Sequence, residues 1–141
     1  MATAKTRVLL GFVAGFASTI FFHQAVVWIF HAMGISPRAP FDVHPVPPFG
    51  IPAVISLAFW GGVWGIIMMF AISRIRSEAM WWIAAIVFGA IFPTLVGGMI
   101  IAPLRHMNFP HTTAMAAFGL TVNGAWGLGT AIIFRVTARQ K

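Results

Sequence analysis

The charges in this chain stand as brackets around long uncharged stretches. No charged side chain falls between Arg7 and Arg38, Asp42 and Arg74, Glu78 and Arg105, or Arg105 and Arg135. Each interval exceeds the roughly 20 residues that a helix needs to cross about 30 Å of hydrocarbon. Backbone polar groups in hydrocarbon must be satisfied within the segment, so such runs resolve as helices. The reading is an all-α polytopic membrane protein, one domain over 1–141, with transmembrane helices at about 8–33, 51–72, 80–102 and 112–134. The runs are apolar nearly all round instead of striped, which excludes a soluble helical core.

A formal charge of +7 would suggest nucleic acid in a soluble protein, but here the position of each charge decides its meaning. Lys5, Arg7, Arg74, Arg76, Arg135, Arg139 and Lys141 fall on one side of the four helices, and only Arg38 and Arg105 on the other. The positive-inside rule then places both termini in the cytoplasm of a bacterial inner membrane. Nucleic acid is excluded as a partner; the lipid bilayer and a protein partner, or self-association, are expected. The first run begins with basic residues like a signal peptide, yet it is longer than the usual 7–15-residue apolar region and is read as retained. With no cysteine there is no disulfide, thiolate ligand or thiol nucleophile.

The chain repeats itself. Ala58-Phe59-Trp60-Gly61-Gly62-Val63-Trp64-Gly65 is echoed by Asn123-Gly124-Ala125-Trp126-Gly127, at an offset of 126 − 64 = 62. That offset also pairs Pro48 with Pro110 and His44 with His106. Matches at Trp, His and Pro point to an internal duplication, although shared membrane composition can produce part of them. Two parallel-related hairpins follow, with the small faces of helices two and four expected to meet near a pseudo-twofold axis.

Within the helices, Gly11-xxx-Gly15 and the face Ala58, Gly61, Gly62, Gly65 suit close backbone approach. Thr19, His23 and Val27 recur every four residues, and His23 lies within a turn of the bilayer centre, where an imidazole is expected to point into the bundle beside a polar neighbour. Its plain reading is a hydrogen-bonded packing histidine; haem ligand, proton relay and substrate contact are the functional alternatives. Trp60 and Trp64 lie near mid-membrane, where each indole N–H needs an acceptor. The short turn 73–79 predicts an antiparallel pairing of helices two and three. Pro93 predicts a kink, because it lacks an N–H and opposes the carbonyl of Gly89. Asn123 shares a stripe with Gly119, Gly127 and Thr130, and is expected to face protein and contact helix one or two. The Pro-rich loop 34–50 should lie stiffly across the bundle mouth, with Pro52 in the first turn of helix two. The loop 103–111 should be compact.

No nucleophile, base and acid set exists, because the only carboxylates, Asp42 and Glu78, fall on opposite sides of the membrane. An enzyme is not indicated. One cluster survives: His31, His44, His106 and His111 share the outer side with Met107, and imidazole with thioether suits copper. No cofactor is required by the sequence, and haem or copper are the ones this set could hold. A proton-responsive cluster and ordinary interfacial histidines remain the alternatives.

Phe22-His23-Gln24, Pro47-Pro48-Phe49-Gly50-Ile51-Pro52 and Ser56 to Gly65 resemble short uncharacterised four-helix inner-membrane proteins of proteobacteria. That resemblance spans most of the chain and carries no activity with it. Thr121-Val122-Asn123-Gly124 is similar to the Asn-and-Gly helix of small fluoride channels, which implies an antiparallel dimer. Such dimers need a nearly neutral basic bias, and seven against two opposes it. The leading expectation is an accessory or scaffold subunit of a membrane complex, or a homo-oligomer, acting by helix packing. A small-solute channel using His23, Pro93 and Asn123, and a haem- or copper-binding redox or assembly protein, are the alternatives.

Overall fold

The computed structural model describes residues 3–104 and 112–139. The fold is all-α, with four helices each long and apolar enough to cross a membrane. Helix α1 spans Ala4–Ala32, α2 Ala53–Ala71 and α3 Glu78–Ile101 with a last turn at Ala102–Leu104; α4 spans Thr113–Arg139. Between α1 and α2 a two-strand antiparallel ladder pairs β1, Pro45–Val46, with β2, Ile51–Pro52.

Local chemistry sets where the helices begin. The Thr3 hydroxyl accepts from the Thr6 amide, the Ser77 hydroxyl from Met80 and the Thr112 hydroxyl from Met115, each meeting an amide that the first turn leaves unpaired. Glu78 adds a carboxylate at the start of α3, where the helix dipole favours it. Pro52 stands one residue before α2, in an extended conformation, and not within its first turn.

Glycine registers decide which helices touch. A Cβ on Gly65 would strike the Gly11 carbonyl and lie 2.9 Å from the Gly15 Cα. One on Gly61 would strike the Thr19 hydroxyl and lie 3.0 Å from the Gly15 carbonyl. Residue numbers rise on α1 as they fall on α2, so the pair is antiparallel. In the same sense, a Cβ on Gly127 would strike the Ala85 carbonyl and lie 3.1 Å from the Gly89 Cα, pairing α4 with α3. The small faces of α2 and α4 therefore do not meet each other as the repeat suggested. Each is filled by the helix before it, because only the small residues Gly11 and Gly15, or Ala85 and Gly89, let the backbones come this close.

The two pairs join chiefly through α1 and α4, with Phe30 and Phe118 5.4 Å apart near the loop end. Helices α2 and α3, joined by the short turn, meet in the half nearer the basic end. There Met68, Met69 and Ile72 pack with Ala85, Phe88, Trp126 and Ala131, and Trp64 sits edge-on to Phe88.

Two of the helices carry a π turn. In α1 the Gln24 amide reaches back five residues to the Thr19 carbonyl, and in α3 the Ala102 amide does the same to Gly97. Helix α3 continues through Pro93 in α-helical form. A π turn follows one turn beyond the proline, at Gly97–Ile101, and opens on a glycine pair.

The loop after α1 folds back on the bundle. The Phe41 amide, at φ 53°, donates to the Gln24 side-chain oxygen at 2.6 Å. The Val54 amide donates to the Asp42 carbonyl at 2.8 Å and the Ala53 amide to the His44 carbonyl at 3.0 Å. The loop is thus stitched to Gln24, two turns inside α1, and to the start of α2.

Candidate functional site, a hydrogen-bonded seam at mid-membrane

The densest polar chemistry inside the bundle lies where α1 crosses α4. Trp126, 2% exposed, donates its indole N–H to the Gly15 carbonyl at 3.0 Å. The Thr19 hydroxyl donates to that same carbonyl at 3.0 Å. The Trp126 carbonyl accepts from Ser18 Oγ at 2.7 Å and from Thr130 Oγ1 at 2.8 Å. Ser18, Thr19 and Thr130 are at most 2% exposed. Gly61 closes the seam from α2, since a Cβ there would also lie 3.2 Å from the indole nitrogen.

Helix α1 reaches this geometry through its π turn. A regular helix would put Thr19, His23 and Val27 on one face, and an imidazole this near the bilayer centre is expected to point inward beside a polar neighbour. The extra residue of the π turn advances the face, so the buried sequence runs Thr19, Gln24, Val27, and His23 is only half-buried. Gln24 is the polar residue that the periodicity missed. Its oxygen takes the Phe41 amide, which leaves its amide nitrogen to donate to His23 Nδ1 at 3.3 Å and places the imidazole proton on Nε2. Nothing in the residue pattern marks the π turn, so no periodic reading could have found Gln24.

Asn123 donates to the Thr94 hydroxyl at 3.0 Å. Its partner is thus on α3, not on α1 or α2 as expected, because the α4 face that carries it is the face packed on Gly89. Asn123→Leu should weaken the α3–α4 pair by about 0.5–2 kcal/mol. Thr94→Val should cost a similar amount, and the double variant little more than either. Unfolding in mixed micelles measures the cycle, and additive losses would show that the two side chains act separately.

Of the other mid-membrane tryptophans, Trp60 is 54% exposed and Trp64 is half-buried against Phe88. Among the described residues neither indole N–H donates a hydrogen bond, in contrast to that of Trp126. Trp64 and Trp126, equivalent under the 62-residue offset, thus occupy different environments.

At the loop end, His31 Nδ1 lies 3.0 Å from the Ser36 carbonyl and His44 Nδ1 2.6 Å from Asp42 Oδ1. Both oxygens can only accept, so in the neutral ring each imidazole carries its proton on Nδ1 and offers the Nε2 lone pair outward. That is the tautomer a metal would use. The other members of the set, His106, Met107 and His111, lie outside the described residues, as does most of the loop expected to be compact. Among the described residues, no three His, Asp or Glu side chains are grouped to hold a metal.

Asp42 is held below the usual carboxylate range, first by the His44 amide at 3.0 Å and then by its imidazole. A carboxylate depressed in this way stabilises the turn above its ordinary titration near pH 4 and loses that effect as pH falls through the lower folded value. Asp42→Ala should therefore reduce protection of the His44, Ala53 and Val54 amides at neutral pH. The difference from wild type should vanish in acid, and amide exchange at both pH values checks it.

No protein-family model, curated protein or solved structure matches the chain. The class rests on the helices: four of them long and apolar enough to cross a membrane, as in a multi-pass membrane protein.

Proposed function

We propose that the chain is a small protein of the bacterial inner membrane, with both termini cytoplasmic, that acts through helix packing as an accessory or scaffold subunit or as a homo-oligomer. The observation that carries this reading is the fate of the buried polar atoms. Among the described residues, no buried side-chain nitrogen or oxygen lacks a hydrogen-bond partner. Ser18, Thr19, Asn123, Trp126 and Thr130 are all engaged by neighbouring backbone or side chains. A solute path or a reaction centre needs polar groups turned toward a ligand. His23 and Asn123 bond to different residues, Gln24 and Thr94, which disfavours one shared midplane site.

Among the described residues, helix α3 is the least covered by the rest of the bundle. Of its most apolar window 17% is buried, against 39% for α2 and for α4. Ile83, Val87, Ile91 and Leu95 are between 39% and 51% exposed along it. That face fits a second membrane helix, from a partner or another copy. The orientation is supported by the seven basic residues on the side of the termini against two on the other. Kinship with the short proteobacterial proteins noted above belongs to the same proposal.

Purification in mild detergent, with mass measurement and identification of co-purifying chains, is the test. The chain contains no cysteine, so Val87→Cys on α3 and Val13→Cys on α1 report single positions, each 45% exposed. Cross-linking at Val87→Cys but not at Val13→Cys is expected. A monomer without stoichiometric partner in native membranes would reject the proposal. A Soret band or stoichiometric copper would transfer it to the outer histidines.

A further inference from the structure

At the basic end of the bundle, the turn between α2 and α3 and the last turns of α4 enclose an open groove of ≈ 430 Å³. Its walls include Ile75, Arg76, Glu78, Trp81, Phe134 and Arg135. We propose that this groove binds the phosphate of an anionic phospholipid, with Arg135 and Arg76 as the cations and the apolar wall receiving the glycerol and upper acyl chain.

Arg135 is built into the site and does not trail in solvent. Its side chain is 27% exposed, Nη2 lies 2.8 Å from Glu78 Oε1, and its guanidinium carbon stands 5.3 Å from the Trp82 ring centre and 5.7 Å from that of Trp81. The two indoles are themselves held edge to face, 5.1 Å apart. A guanidinium presents five N–H donors in a rigid fork, and one carboxylate oxygen at Nη2 does not exhaust them. Arg76 lines the same groove from the turn between α2 and α3. Two cations against Glu78 leave one positive charge, matching the single negative charge of a phosphodiester.

Depth and lining select a lipid over a free anion. The groove lies where the apolar spans end, at the level of paired tryptophans suited to the headgroup region. Basic pockets between helices at that level recognise anionic headgroups. Ile75 and Phe134 would contribute nothing to a hydrated phosphate ion but would cover the apolar part of an amphiphile. This inference rests on the membrane placement of the four helices and is independent of the accessory-subunit reading.

The test uses the full chain in mild detergent, titrated with phosphatidylglycerol or phosphatidylcholine, with bound lipid counted by native mass spectrometry. Phosphatidylglycerol should be retained in preference to phosphatidylcholine, and Arg76→Gln should lower its affinity about fivefold, the effect of one interfacial cation. Arg135→Gln should lower it at least as much. Glu78→Gln should raise it, because the carboxylate no longer competes for Arg135, and a misfolded variant cannot produce a gain. Equal retention of the two lipids, or unchanged binding in Arg76→Gln and Arg135→Gln, would overturn the proposal. So would an equal loss in a Lys5→Gln, Arg7→Gln double variant, which would reduce the effect to general charge at that end. Displacement of phosphatidylglycerol by millimolar inorganic phosphate would overturn the lipid assignment in favour of a free-anion site.

Discussion

Gly65→Ala is expected to separate α1 from α2 and lower stability by about 1–3 kcal/mol, the range for overpacking a tight contact. The new methyl group would meet the Gly11 carbonyl and the Gly15 Cα, which are backbone atoms with no rotamer to change. The helices must move apart, and the Gly61 contact loosens with them. Gly124→Ala provides the control on α4. Its methyl group would find Ala90 Cβ at 3.6 Å and Ile86 at 3.9 Å, ordinary packing distances. Alanine also favours a helix over glycine by roughly 0.5–1 kcal/mol, so this variant should be neutral or slightly stabilised. Unfolding of both variants in mixed micelles decides the matter. Equal losses would mean that the α1–α2 contact is looser than its registers indicate.

Trp126→Ala should be costlier, about 3–5 kcal/mol, since it opens a cavity where an aromatic side chain is nearly fully buried. Trp126→Phe separates the contributions. It keeps most of the volume but removes the donor to the Gly15 carbonyl, and should cost about 0.5–2 kcal/mol. The backbone carbonyl that accepts from Ser18 and Thr130 survives in both variants, so those two bonds report whether the cavity collapses. A Ser18→Ala cost that disappears in the Trp126→Ala background, but persists in Trp126→Phe, would place the effect in the seam.

The four spans were legible because charge position alone delimits them: a helix either crosses hydrocarbon without charges or does not cross. What those segments pack against was not. A run that is apolar on every side carries no stripe to say which side faces protein, so the choice of partner passed to the glycines. The glycines identified faces suited to close contact but not the helix that would fill them. Gly61 and Gly65 do form a small face, yet it lies against Gly15 and Gly11, and from α4 the Trp126 indole, not the glycine face, reaches Gly61. His23 illustrates a second limit, since the π turn puts Gln24 on the fully buried face and leaves the imidazole half-buried beside it, with Gln24 as its polar neighbour. Trp126 could have been sought beside Ser18 and Thr19, as hydroxyls near a close-packed glycine pair imply neighbouring backbone acceptors, whereas Trp60 and Trp64 drew attention by their density. The outer ligand set stands apart, its decisive members His106, Met107 and His111 lying outside the described residues.

The bonds that close the seam join residues 108 and 111 positions apart. During synthesis α1 and α2 enter the membrane with all of their mutual glycine contacts available, but the partner of Ser18 and the indole that reaches Gly15 belong to the last helix. Until α4 inserts, the first pair carries an incomplete face at mid-membrane. Insertion of the final helix is therefore the event that completes the first one, and a ribosome stalled before Trp126 would leave in the bilayer a hairpin exposing polar groups to whatever surveys the membrane for unfinished proteins.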